Sequence, residues 1–172
     1  LEAYNLERQR LQKEIIQQAM QRVEQEINFK DSRVIVLSQE GWHRGVLGIV
    51  ASRLMEEYCR PTVIISLENG MGTASARSIE GFHLNEALGR CAPTLETFGG
   101  HKFAAGLTIK EGNIEKFTEQ LNRLAHQLIQ AEHLLPALDV DGEVPLSAWN
   151  VGLVQGLDVM AVSYTHLRAH ET

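Results

Sequence analysis

The order of apolar and polar residues predicts a mixed α/β domain preceded by a long helix. Residues 1–29 contain no glycine or proline, and their apolar positions recur at helical spacing, as Leu6, Ile16, Met20, Val23 and Ile27. Short apolar runs over 34–37 and 62–67 predict two buried strands. Weaker runs over 73–77 and 107–109 predict two more strands, so the fold class is α/β with a central mixed sheet.

Further helices are predicted between these strands. The first carries a buried stripe formed by Val46, Ile49, Val50 and Leu54. A second covers 84–90, and a short third one opens at Pro93 and runs through Thr97. Asn113 is expected to cap the last helix. The stripe of that helix comprises Ile114, Phe117, Leu121, Leu124 and Leu128, so helices are expected to flank the sheet.

The last third of the chain changes character. Residues 137–144 alternate apolar and acidic side chains, which predicts the first strand of a separate β-rich unit. Residues 161–172 resemble a string that recurs at the ends of proteins predicted from metagenomic assemblies, and we interpret them as translated adapter sequence. His166 and His170 stand four residues apart, a spacing that suits two metal ligands on one helix face. Because we interpret this tail as non-native, we do not assign a metal site to these two histidines.

Composition and charge exclude several classes of protein. The 172 residues are 44% hydrophobic and 22% charged, which is typical of a globular protein with a core. The net charge of −6 argues against nucleic-acid binding through bulk charge, although a local basic groove remains compatible with it. Two cysteines without a C-x-x-C pair and the lack of a long apolar segment predict a cytoplasmic location without membrane contact.

A glycine-rich stretch, F-G-G-H-K-F-A-A-G over 98–106, is the strongest candidate for chemistry. Gly99 and Gly100 allow positive φ, and successive N–H groups in such a turn can form a nest for an anion. His101 can donate to a phosphate or exchange a proton. The alternative is a tight turn with a hydrogen-bonded histidine, and a bare Gly-Gly-His motif would favour that alternative.

The strand predicted over 73–77 and the adjoining Ser78 carry small and polar side chains in place of a buried apolar face. Ser75, Arg77 and Ser78 could supply donors to a ligand that approaches this strand. Arginine suits phosphate because its planar fork is always charged. The alternative for Arg77 is a surface salt bridge.

The loop that precedes the first flanking helix is a third candidate. The helix start near Gly45 is expected to offer free N–H groups and the positive end of a dipole. His43 could face a ligand or cap the helix, and the sequence leaves these two roles open. Gly48 weakens the helix, so we expect it to serve close packing.

Three motifs therefore stand in order: G-W-H-R-G-V-L-G-I-V-A-S-R at 41–53, S-A-R-S at 75–78 and the glycine stretch at 98–106. Together they resemble the second half of the bacterial RecJ single-strand-specific exonucleases, the DHH-associated domain. The resemblance implies a linker helix between two catalytic lobes over 1–30 and the DHH-associated domain over 31–135. It also implies the truncated start of an oligonucleotide-binding-like β unit over 136–160.

The resemblance also implies roles for individual residues. The first lobe of that family, which this chain lacks, holds the Mn²⁺ or Mg²⁺, so no metal ligand is assigned here. His101 is implied as catalytic, beside the scissile phosphate. The residues implied in substrate binding are Ser75, Arg77, Ser78, Gly99, Gly100 and, more weakly, His43. Arg44 departs from the family, which often has proline there, and either adds a phosphate contact or changes the path into the helix.

The resulting hypothesis is a fragment of a single-stranded-DNA-specific 5′→3′ exonuclease of DNA repair and recombination, in which this part positions the strand and is inactive alone. One alternative is a phosphodiesterase of the same superfamily that cleaves short oligonucleotides or cyclic dinucleotides. Another is a nucleic-acid-binding module without chemistry, like the DHH-associated domain of alanyl-tRNA synthetases. The long helix and the added β unit favour the exonuclease over the phosphodiesterase, and the first motif argues against the module.

Overall fold

A computed structural model of the chain describes residues 2–136, 143 and 145–157, with side chains from Leu6 onward. The chain divides into two compact units, Leu1–Pro136 and Ala137–Thr172. In the second unit the described residues form a 3₁₀ turn, Leu146–Ala148, and a short helix over 151–157. The strand predicted over 137–144 lies outside the described residues except for Glu143, and so does the tail over 161–172.

The first unit is built on a five-stranded mixed sheet. Its strands are β1 (Ile35–Glu40), β2 (Thr62–Glu68), β3 (Met71–Arg77), β4 (Thr97–Gly100) and β5 (Ala104–Lys110). They lie in the order β1-β2-β3-β5-β4. Strands β1 and β2 are parallel and all other pairs are antiparallel. The predicted central mixed sheet is therefore confirmed, and each of the four predicted strands overlaps an observed one.

Strand β4 is where the sequence prediction was wrong. The helix predicted from Pro93 through Thr97 is only a 3₁₀ turn, Ala92–Thr94, and the chain is already extended at Leu95. Thr97 begins β4, which continues through both glycines and pairs with β5. Glycine has a poor intrinsic preference for strands. Pairing across the hairpin with β5, and not local sequence, therefore makes this segment a strand.

Four helices cover the two faces of the sheet. They are α1 (Glu2–Glu26), α2 (Leu47–Tyr58), α3 (Leu84–Arg90) and α4 (Ile114–Leu128). Helices α1 and α2 form one apolar cluster with side chains of β1 and β2, whereas α3 and α4 form another with the opposite face. The long N-terminal helix is confirmed, and so are the predicted flanking helices that correspond to α2, α3 and α4. A continuous helix of 25 residues is about 37 Å long at 1.5 Å per residue.

Helix α4 differs from its prediction at both ends. Asn113 stands at the N-cap position, but its side-chain amide donates to the carbonyl of Thr94 instead of capping the helix. Leu128 is 41% exposed, and the buried stripe ends at Ala125. His126 is exposed, and its Nε2 lies 3.0 Å from the carbonyl oxygen of Asp31. Side-chain contacts to distant segments therefore fix α4 more than local capping does.

Cys91 is expected to resist thiol reagents in the folded protein. It is fully buried, and burial raises the pKa of its thiol to about 11, so little reactive thiolate forms near pH 8. Cys59 is only half-buried. Titration of a Cys59→Ser variant with an aromatic disulfide at pH 8 should release almost no thiolate until denaturant is added. Rapid labelling of that variant under native conditions would contradict the burial of Cys91.

Candidate functional site

Within residues 2–136, no helix covers one part of the sheet, where Gly99 and Gly106 are exposed. On β3, alternation places Ser75 and Arg77 on the face that α2 partly covers, while Ala74 and Ala76 are buried on the other face. Ser75 is paired with Gly106 of β5, and Gly106 with Gly99 of β4. Gly106 and Gly99 are exposed. We call Ser75, Gly106 and Gly99 the open shelf. They are neighbours on adjacent strands, which lie about 4.8 Å apart, and two of the three carry no side chain.

A row of hydroxyl groups borders the open shelf. Thr73, Thr108 and Thr97 are register partners across β3, β5 and β4. The Oγ1 atoms of Thr97 and Thr108 lie 2.7 Å apart, so these two side chains hydrogen-bond to each other across the edge of the sheet. The sequence prediction assigned no role to this row of threonines, because it did not contain β4. The surface around the open shelf is thus small and polar.

Arg77 lies at one end of the open shelf. Its Nη1 donates to the carbonyl of Ala76 at 2.9 Å and to Ser75 Oγ at 3.2 Å, so the guanidinium bends back over its own strand. Among the described residues, no carboxylate pairs with Arg77, and neither its Nε nor its Nη2 donates a hydrogen bond. The predicted alternative of a surface salt bridge therefore finds no support in this part of the chain.

The guanidinium of Arg77 carries a positive charge that no carboxylate of the described residues offsets. It lies against Gly48, which is in the first turn of α2. An anion at the Nε and Nη2 edge would be attracted by this charge, and a phosphate can accept two hydrogen bonds from that edge.

The Gly-Gly-His segment forms the end of β4 and the first residue of a tight turn. Gly100 has φ +151°, and a Cβ on it would lie 2.4 Å from the carbonyl oxygen of Ala104. The hairpin itself therefore requires glycine at position 100. The N–H of His101 donates to the same carbonyl at 2.8 Å, and Ala104 is the register partner of Arg77. His101 and Arg77 therefore lie at the same end of the sheet.

Two hydrogen bonds from the segment that runs from the end of β3 to the start of α3 also fix the turn that carries His101. The carbonyl of Lys102 accepts from the N–H of Leu84 at 2.9 Å, at the start of α3. The carbonyl of Phe103 accepts from the N–H of Ser78 at 2.9 Å. The side chain of His101 is exposed and makes no hydrogen bond or ion pair with any residue that the structure describes. The backbone of the turn is thus fixed by hydrogen bonds, and the His101 imidazole on it is exposed.

Ser78 plays a different part from the one predicted for its hydroxyl. The residue is 4% exposed, and its Oγ donates to the carbonyl of Phe82 at 2.8 Å. Together with its N–H bond to Phe103, this contact ties the end of β3 to the segment before α3. The hydroxyl is engaged inside the fold, so Ser78 is left out of the phosphate contacts proposed below.

The loop before α2 uses its own polar groups. The N–H groups of Gly45 and Val46 donate to Nδ1 and to the carbonyl of His43, and that of Leu47 donates to Arg44. The prediction of free N–H groups near Gly45 is therefore wrong. A 3₁₀ turn, Arg44–Val46, precedes the helix, and these N–H groups donate hydrogen bonds within it. Of the two roles left open for His43, the structure shows the cap.

Arg44 is engaged away from Arg77. Its Nη2 lies 2.7 Å from Glu68 Oε2 in an exposed ion pair. Glu68 is the last residue of β2, whereas the register partner of Arg77 is Thr62, the first. The structure thus brings Ser75, Arg77, Gly99 and His101 to one region and holds Arg44 at the other end of β2.

Comparison with known proteins places this arrangement in a family. The family model of the DHHA1 domain matches residues 31–127. This chain belongs to the DHHA1 domain family. The matched segment contains the sheet, α2, α3, α4 except its last residue, and every residue of the candidate site.

Relatives of this DHHA1 domain include single-stranded-DNA-specific exonucleases RecJ. The enzyme of Bacillus subtilis is 37% identical over 143 residues, which are 82% of this chain and 18% of that protein. The enzyme of Escherichia coli K12 is 38% identical over 112 residues, which are 62% of this chain and 19% of the relative. The chain therefore spans less than a fifth of the length of these relatives.

A solved structure shows the same fold. The crystal structure of RecJ in complex with Mn²⁺ from Thermus thermophilus superposes with a TM-score of 0.63 at 30% identity. The match covers 73% of this chain and 18% of that one. The resemblance to RecJ that the three sequence motifs indicated is confirmed.

The described part of this DHHA1 domain does not fit a catalytic metal. It contains no group of three or more His, Cys, Asp or Glu side chains that could hold one. Mn²⁺ and Mg²⁺ need several oxygen or imidazole ligands that converge on one point. No chemical step is therefore assigned here to a metal held by these residues.

Within residues 2–136 and 145–157, no helix is both long and apolar enough to span a bilayer.

Proposed function

We propose that this DHHA1 domain binds the phosphates of a single DNA strand and positions the strand for hydrolysis by a RecJ-type 5′→3′ exonuclease. The observation that carries the proposal is the guanidinium of Arg77. It lies beside the first turn of α2 with a free Nε and Nη2 edge, and no carboxylate of the described residues neutralises it. A phosphate could therefore accept two hydrogen bonds from this edge in the bidentate geometry typical of arginine–phosphate pairs.

The open shelf supports the proposed path of the DNA strand across the sheet. Gly106 and Gly99 continue from Ser75 toward the edge of the sheet, and a Cβ on Gly99 would meet no atom within 4 Å. A sugar-phosphate backbone can therefore lie close to the main chain of β5 and β4. Contacts of this kind are made with phosphate and not with base edges, so the binding should be independent of DNA sequence.

His101 is proposed as the donor nearest to the reacting phosphate. It shares the end of the sheet with Arg77, and its side chain is exposed. The Mn²⁺ or Mg²⁺ that the proposed reaction uses is assigned to a part of the enzyme outside this chain. A role in DNA repair and recombination and a cytoplasmic location stay predictions.

The domain organisation completes the proposal. Residues 1–30 would link this domain to a metal-binding lobe, and residues 31–135 would form the DNA-positioning lobe. Residues 136–160 would begin an oligonucleotide-binding-like unit.

Arg77→Ala should weaken single-stranded DNA binding at least tenfold, the scale of a lost hydrogen-bonded charge. The loss should be equal for oligo-dT and for a mixed sequence, because a phosphate contact carries no sequence information. The slope of log K against log salt concentration should become shallower by about 0.7, which corresponds to one phosphate of a single strand. Fluorescence anisotropy of a labelled 12-mer with the 172-residue chain at several salt concentrations measures both quantities.

Arg53→Ala is the matched control. Arg53 lies on α2, and unlike Arg77 it pairs with a carboxylate, that of Glu57, in an exposed ion pair at 3.2 Å. Its removal should leave the affinity and the salt slope nearly unchanged. An Arg77→Ala protein whose salt slope equals that of the unmodified chain would refute the phosphate contact.

A further inference from the structure

We infer that Gly48 is a positioning residue whose missing side chain forms the seat of the Arg77 guanidinium. The inference rests on the proposed function of Arg77 as a phosphate ligand. It concerns α2, the helix that packs on β2 and β3. It also explains why glycine stands in the first turn of that helix.

The surroundings of Gly48 show what its lack of a side chain accommodates. A Cβ at this position would lie 2.9 Å from Nη2 of Arg77, 3.3 Å from Ser75 Oγ and 3.7 Å from the Arg77 Cζ. Contacts below 3.0 Å require that one of the groups moves. The nearest atoms thus belong to the guanidinium and to the hydroxyl that holds it.

Neither backbone conformation nor core packing requires a glycine at position 48. Gly48 lies inside α2 and is not among the residues with positive φ, so its backbone is open to any residue. It also does not serve the apolar core, in contrast to Gly72, where a Cβ would overlap side-chain carbons of Ile65 and Ile109. Glycine is one of the poorest helix formers, so alanine would favour the helix itself.

The contacts of the guanidinium leave Nε and Nη2 without a hydrogen-bond partner among the described residues. Nη1 is fixed by Ala76 and Ser75, and Nη2 lies over Gly48, so the plane is held between β3 and α2. A methyl group at position 48 would displace the flexible end of Arg77 and leave the fold intact. A displaced fork loses its bidentate geometry toward a phosphate, although its charge remains.

A double-mutant cycle tests this coupling. Gly48→Ala should raise the Kd for labelled dT12 about threefold to tenfold, part of the loss expected for a charge-assisted contact. In an Arg77→Ala background the same change should leave the Kd unaltered, because the group that it displaces is gone. Gly48→Ser serves as a second variant with the same expectation. The melting temperature of Gly48→Ala should equal or exceed that of the unmodified chain.

Gly89→Ala is the control for helix propensity. Gly89 is exposed on α3, and a Cβ there would meet no atom within 4 Å. This variant should keep the Kd of the unmodified chain. A readout without DNA is the Nε–Hε signal of Arg77 in a nitrogen-15 spectrum, which should shift in Gly48→Ala and stay in place in Gly89→Ala.

The binding results separate the seat from the phosphate contact. If Arg77→Ala weakens binding and Gly48→Ala does not, the seat is refuted and the phosphate contact stands. If Gly48→Ala weakens binding equally in both backgrounds, Gly48 acts independently of Arg77 and the inference is wrong. If Arg77→Ala has no effect, the proposed function fails and the inference fails with it.

Discussion

Replacement of Gly100 by alanine is expected to lower the free energy of unfolding by about 3 kcal/mol or more, the range reserved for overpacking and strained backbone. The new Cβ would lie 2.4 Å from the carbonyl oxygen of Ala104 and 2.5 Å from the Cα of Ala105. Both are main-chain atoms of β5, so no side-chain rotation relieves the overlap. The residue also has φ +151°, where alanine is strained. Thermal unfolding should show a melting temperature lower by about 10 °C.

Gly99→Ala is the neighbouring control. Gly99 belongs to the same strand, lacks a positive φ, and has open space where a Cβ would stand. Its melting temperature should stay within about 2 °C of the unmodified chain, as for most surface substitutions. Equal destabilisation by the two substitutions would show that the hairpin does not have the described geometry.

In the complete exonuclease proposed here, His101→Ala should lower kcat about a hundredfold, the scale of one lost donor to a developing oxyanion. The turn places His101 beside the register partner of Arg77, where the scissile phosphate is proposed to lie. A donor at that position meets charge that grows on the phosphoryl oxygens during attack, so it stabilises the transition state more than the ground state. KM should change much less, because Arg77 retains the ground-state contact.

Kinetics with single-stranded DNA measure this separation of kcat from KM. His101→Asn keeps a donor of similar size and should recover part of the lost rate. A melting temperature equal to that of the unmodified enzyme confirms that the exposed side chain has no structural role. If the alanine variant loses affinity and keeps kcat, His101 is a ground-state phosphate ligand. Unchanged kinetics would show that the histidine only completes the turn.

Much of the fold followed from local patterns. The apolar runs that became β1 and β2 are buried and rich in β-branched residues, and α3 has the predicted bounds, 84–90. Such segments are predictable because their periodicity and their burial agree. The three ordered motifs likewise led to the correct family, since each contains glycines or an arginine at fixed spacing.

The wrong predictions share one physical cause. Each segment forms hydrogen bonds with residues that are distant in sequence or lie in a neighbouring turn. β4 is a strand because of β5, and Asn113 is drawn to Thr94 instead of its own helix. Ser78 looked like a ligand from its neighbours Ser75 and Arg77, but its hydroxyl meets Phe82 in the folded chain. The 3₁₀ turn before α2 consumes N–H groups that a plain helix start would leave free.

The sequence by itself determined the mixed α/β class, the long first helix and the family, because hydrophobic periodicity and motif spacing are properties of the chain in order. It also named Arg77 and His101, since few residue types suit a phosphate. Only the tertiary structure decided that the Arg77 fork is unpaired among the described residues and rests on Gly48, and that Gly99 is open whereas Gly100 is obligatory. These distinctions depend on which atoms of β3, β5 and α2 approach each other, and no local pattern records that approach.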